Sequence, residues 1–140
     1  MPAIRRHVHI AASPRAVWKA LTTPEGLESW LSDSARIEPR MGGRVVLTRA
    51  GPEGEPREDR GLIHIWRPIS HLEIAFDRQS QGPSASIRVS FQVAQDGDEV
   101  RLALVLSGEP LDDEERHEKA DQEWRAALAA LQAALDAPQN

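Results

Sequence analysis

Apolar and polar positions change rhythm several times along this chain. Ile4, Val8 and Ile10 alternate with Arg5, His7 and His9, the period-two pattern of a half-buried strand. Ser13-Pro14 then offers an N-cap and a proline at the first helical position, and Val17, Ala20 and Leu21 share one helix face. Thr23-Pro24-Glu25 repeats that grammar, with Leu27, Trp30 and Leu31 as the buried edge of a second short helix. A short strand follows around Ala35–Pro39, a turn at Met41-Gly42-Gly43, and a strand over Arg44–Arg49. Ala50–Asp59 is polar and rich in glycine and proline, and reads as a hairpin tip. Gly61–Trp66 and Leu72–Phe76 read as strands, Gln79–Ser84 as a loop. Ile87, Val89, Phe91 and Val93 alternate with Arg88, Ser90 and Gln92. After an Asp96-Gly97 hairpin turn the pattern returns in Val100, Leu102, Leu104 and Leu106.

From Asp112 the rhythm turns helical, with Glu115 three residues on as its capping-box partner. Trp124, Leu128, Leu131 and Leu135 form a narrow stripe, and at about 100° per residue His117 lies within about 20° of Trp124. Ala126, Ala130 and Ala133 line the opposite side. The fold class is therefore α+β. One strand, two short helices, a run of antiparallel strands and a closing helix bury their faces best as a curved sheet gripping the last helix. That arrangement leaves a hole between sheet and helix, where function is expected. Residues 1–140 read as one domain.

Composition narrows the class. An apolar fraction of 40% with 28% charged residues fits a globular protein. No run approaches the roughly 18 apolar residues that span a bilayer, and the first ten residues do not resemble a signal peptide, so a cytoplasmic location with no membrane partner is expected. Without cysteine, the chain has no disulfide, thiol nucleophile or thiolate metal site. Net charge is −5. Residues 1–50 carry eight basic and four acidic side chains, whereas residues 101–140 carry four and nine. An acidic closing helix repels phosphates, which argues against nucleic acid as a partner. Fifteen arginines against two lysines fit a GC-rich bacterial genome.

The order of elements carries five motifs: SPRAVWKALTTPEGLESWL, the Met41-Gly42-Gly43 turn, Gly61-x-Ile63 through Pro68 to Leu72, Leu106-Ser107-Gly108, and the helix tryptophan Trp124. Together they resemble the START-like (SRPBCC, helix-grip) superfamily, and within it the group named after the activator of the 90-kDa heat-shock-protein ATPase. The resemblance runs from Ile4 to about Leu135. It implies a β-α-α-β-β-β-β-β-β-α fold with a cavity between the curved sheet and the last helix. Superfamily members bind lipids, sterols, hormones and polyketides, and a few cyclise or dehydrate them.

The expected cavity is walled by Trp124, Leu128 and Leu131 on the helix and by Ile74, Phe76, Ile87, Val89, Phe91 and Leu104 on the sheet. Trp30 and Trp66 add aromatic surface, and His117 supplies polarity at the mouth. Ordinary core packing is the competing explanation for the leucines. A bulge near Ile65 leaves the face of His64 open. His7 and His9 sit two apart but lack a third metal ligand, so no metal is assigned. No phosphate loop, GxSxG or HExxH occurs, and no cofactor or catalytic residue is assigned. The expected function is to hold a small apolar or aromatic molecule. The alternatives are a co-chaperone-like module with a protein partner and a polyketide-type cyclase or hydrolase. The expected state is a monomer or weak homodimer.

Overall fold

A computed structural model describes residues 3–51, 53–80 and 85–136. Strand β1 (Ile4–Ile10) is followed by helices α1 (Pro14–Thr22) and α2 (Pro24–Glu28). Strands β2 (Ser34–Ile37), β3 (Arg44–Ala50), β4 (Pro56–Arg67), β5 (His71–Phe76), β6 (Arg88–Asp96) and β7 (Glu99–Ser107) come next. A 3₁₀ turn over Glu109–Asp112 leads into α3 (Glu114–Asp136). The strands form one curved antiparallel sheet in the order β1-β7-β6-β5-β4-β3-β2, as the helix-grip reading expects.

The helix starts follow from local chemistry. Ser13 accepts a hydrogen bond from the Ala16 N–H at 3.1 Å, with Pro14 opening α1. Thr23 ends α1 in an extended conformation and caps α2 through the Gly26 N–H at 3.0 Å. The β6–β7 hairpin turns at Gly97, whose φ of 63° is cheap only for glycine. A register shift between Ile63 and Ile65 is the expected bulge, and it leaves His64 exposed.

Several details differ from expectation. Pro56–Asp59 is not part of the hairpin tip but the start of β4, paired through Ala50↔Pro56 to Leu47↔Asp59. Backbone pairing does not require apolar side chains, so a polar segment beside a strong partner strand can still join the sheet. The last helix starts at Glu114 and is capped by Asp113, whose carboxylate accepts from the Arg116 N–H at 3.0 Å; Asp112 instead closes the 3₁₀ turn. Trp18, outside the expected stripe of α1, is buried against Trp66, with ring centroids 5.3 Å apart. Of the expected Gln79–Ser84 loop, residues 81–84 lie outside the described residues.

Helix α3 lies along edge strand β1 and covers it. Arg6 donates to both carboxylate oxygens of Asp121 at 2.9 and 2.7 Å. Gln132 donates to the His9 carbonyl at 2.7 Å, and the Ala11 N–H donates to Asp136 at 2.8 Å. Arg6 shares the inward face of β1 with Ile4, Val8 and Ile10. It is a charge on an edge strand that its helix partner neutralises.

Candidate functional site

Where sheet and helix meet squarely, side chains fill the space. Trp124 is only 2% exposed, and its ring centroid lies 6.2 Å from that of Phe91, which in turn lies 6.1 Å from Trp30. The Trp30 indole donates to the Ala20 carbonyl at 2.9 Å, tying the turn after α2 to α1. Ile74, Val89, Leu104, Leu128 and Leu131 are buried in the same core. The Trp124 indole N–H, by contrast, is a buried donor with no partner among the described residues. Such a group costs free energy until an acceptor meets it.

Toward the N-terminal end of α3 the packing opens. A cavity of about 380 Å³ lies between the sheet and the start of the helix. Its apolar lining is Ala85, Ile87, Pro110, Leu111 and Ala120. Its polar rim is Arg57 from β4, Arg78 and Ser80 from the segment after β5, and Arg116 and Lys119 from α3. Ala120 precedes Trp124 by one helical turn on the same face, so the cavity begins where the large ring gives way to a methyl group.

Two backbone features shape the lip. Gly108, at φ 142°, lets the end of β7 pass close to the segment before β6; a Cβ there would stand 2.8 Å from the Ser86 carbonyl oxygen. Ser86 lines the cavity and itself has φ 61°.

Of the residues expected to wall a cavity, Ile87 lines this one and Phe76 lines an adjoining groove. Ile74, Val89, Phe91, Leu104, Trp124, Leu128, Leu131 and Trp30 are core, and Trp66 is half-buried against Trp18. His117 is half-buried but is not among the residues lining the cavity; Arg116 and Lys119 stand at its mouth. The four cations escaped sequence reasoning because they come from three separated segments with no characteristic spacing. His7 and His9 contact edge to face at 5.7 Å, and His9 pairs with Asp96 at 3.0 Å. No group of three metal-ligating side chains occurs among the described residues.

Charge is handled differently inside the grip and outside it. The Arg6 guanidinium, first by its hydrogen bonds and then by its charge, holds the Asp121 carboxyl below its ordinary pKa, against the opposing effect of burial. Glu38 is also held low, mainly by the backbone N–H of Arg44.

The family model described as "Activator of Hsp90 ATPase homolog 1-like protein" matches residues 11–136. No curated protein matches the sequence. Among solved structures, protein MLL2253 from Mesorhizobium loti is 20% identical, covers 99% of this chain and 100% of its own, and superposes with a TM-score of 0.83. The Aha1 dimer from Colwellia psychrerythraea, solved in solution, is 18% identical over the whole of both chains, with a TM-score of 0.81. The AHSA1-like protein from Aeromonas hydrophila is 18% identical over 97% of this chain and 93% of its own, with a TM-score of 0.79. At these identities the likeness is one of fold.

Proposed function

Starting from a chain that belongs to the activator of Hsp90 ATPase homolog 1-like family, we propose that it is a domain for binding a small, largely apolar molecule between the sheet and the closing helix. The observation that carries this is the cavity at the start of α3, with Ile87, Leu111 and Ala120 in its apolar lining. Behind it Phe91, Trp124, Leu128 and Leu131 are packed as core and do not line the cavity. The lining exposes more polar than apolar surface, so apolar contact alone contributes little against the costs of association. Generic apolar ligands should therefore bind with micromolar or weaker affinity. What favours binding over cyclase or hydrolase chemistry is the rim: its charged groups are all cations, with no carboxylate or imidazole lining the cavity among the described residues to act as a base.

A protein-interaction module is the second reading, favoured by the family's description and by the filled core behind the cavity. Fluorescence titration with N-phenylnaphthylamine separates the two. The neutral dye should bind wild type and lose at least tenfold in affinity in Ala120→Leu, which fills the cavity from a helix position that tolerates leucine. A folded Ala120→Leu that binds as well as wild type places the dye elsewhere and overturns the proposal. No described helix is long and apolar enough to cross a membrane. A cytoplasmic monomer or weak homodimer remains our proposal, beside a Colwellia relative that is a dimer.

A further inference from the structure

We propose, resting on the binding role above, that the molecule this cavity selects carries an oxyanion, with its anionic head on Arg57, Arg78, Arg116 and Lys119 and its apolar body along Ile87, Leu111 and Ala120. Four cations converge on one cavity from β4, the segment after β5 and α3, and no carboxylate shares the lining among the described residues. In a chain of net charge −5 whose closing helix is acidic, this local reversal of sign is not inherited from composition. Like charges gathered in one concavity repel each other, and an anion relieves that repulsion.

The nearby acids do not neutralise the set. Arg57 pairs loosely with Glu55 at 3.7 Å, while Arg78, Arg116 and Lys119 make no ion pair among the described residues. The adjoining groove, which shares Arg78 and Arg116, holds Asp77, Glu109 and Asp113; Asp77 accepts the Gln79 N–H at 2.9 Å, Asp113 caps α3 at 3.0 Å, and none of the three forms an ion pair with a rim cation among the described residues. Asp59, buried in β4, is engaged in an interaction of its own. Guanidinium groups offer paired N–H donors that match carboxylate and phosphate oxygens, and the lysine adds a mobile point charge. Head and body are therefore recognised by different side chains of one cavity.

Octanoate, octyl phosphate and octanol carry the same apolar tail with a carboxylate, a phosphate or a neutral head, and each is titrated directly by calorimetry into the whole chain. At low salt at least one of the anions should bind tenfold or more tightly than octanol. That advantage should shrink as salt rises, because exposed charges are screened. A preference between the two anions identifies the carboxylate or the phosphate as the natural head, and either supports the proposal. In the double variant Arg116→Gln/Lys119→Gln, two exposed helix positions where glutamine is well tolerated, the gap between anion and octanol should fall to about twofold. Equal affinity of all three in wild type overturns the proposal, as does an anion preference that survives in the double variant. Octanol and N-phenylnaphthylamine binding with no anion advantage would leave the apolar cavity standing without its selectivity. An anion that binds while both neutral probes fail would keep the cationic site and remove the apolar one.

Discussion

Helix α3 meets the same sheet in two different ways along its length. Its second half is sealed: Trp124, Ala127, Leu128 and Leu131 are buried against Phe91 and its neighbours. Its first turns are open: no residue from Glu114 to Lys119 is buried, and Arg116 and Lys119 look across a cavity at Arg57 and Arg78. The hinge between the two is Ala120, buried but small. A helix-grip fold needs only part of its last helix to hold the sheet closed. Side-chain size at one position on the gripping face decides where core ends and cavity begins, and the freed end can then carry charge.

The largest effect should come from breaking the sealed half. Trp124→Ala removes a ring that is 2% exposed and contacts Phe91, and should cost about 3–5 kcal/mol. Urea unfolding measures this directly; a loss below about 1 kcal/mol would mean that the sealed half does not hold the fold together.

A smaller effect should come from the strut that sets the open half. Gly108 sits at φ 142°, where a side chain is strained, and a Cβ would crowd the Ser86 carbonyl oxygen at 2.8 Å. Gly108→Ala should cost about 1–3 kcal/mol. It should also displace the cavity lip, weakening N-phenylnaphthylamine binding in protein that remains folded at low temperature. Wild-type stability together with unchanged dye binding in Gly108→Ala would show that this close approach shapes neither.

Much of this contrast is legible in the sequence, but unevenly. Ser13-Pro14 and Thr23-Pro24 announce their helices because capping is settled within four residues. The β6–β7 hairpin is equally plain, since strict alternation and an Asp96-Gly97 turn act locally. Trp124 and Leu131 are recognisable as the inner stripe for the same reason. The start of α3 is ambiguous because Asp112 and Asp113 are both competent caps. The choice falls to Asp113 only after Gly108 and the 3₁₀ turn have fixed the approach. Trp18 is hidden because its partner, Trp66, arrives from a distant strand. The cavity is the least legible part. Its lining comes from several elements, and its cations come from three segments tens of residues apart, with only Arg116 and Lys119 sharing a helix. A charge count over the last forty residues even points the wrong way, since it records the acids of α3 and not which face Arg116 and Lys119 occupy.

The smallest effect concerns the boundary itself, and pH isolates it. Asp121 follows Ala120 and binds Arg6 of β1 through both carboxylate oxygens, tying the helix to the edge strand where the packing changes character. The side chain of Asp121 is 18% exposed and that of Arg6 43%, so solvent screens the pair and its worth is about 1 kcal/mol. Because the hydrogen bonds from Arg6 lower the folded-state pKa of Asp121, folding is stabilised by the ionised form. That contribution is fully present above the unfolded value, about 3.9, and is lost as pH falls through the lower folded value. Asp121→Asn should therefore be less stable than wild type by about 1 kcal/mol at pH 7 and should converge on it as the pH falls through the lowered folded value. Urea melts of both proteins at pH 7, 5 and 3 give the comparison. A gap as wide at pH 3 as at pH 7 would show that the asparagine perturbs packing and not charge. No gap at any pH would show that the Arg6–Asp121 pair does not help to fix α3 on the sheet.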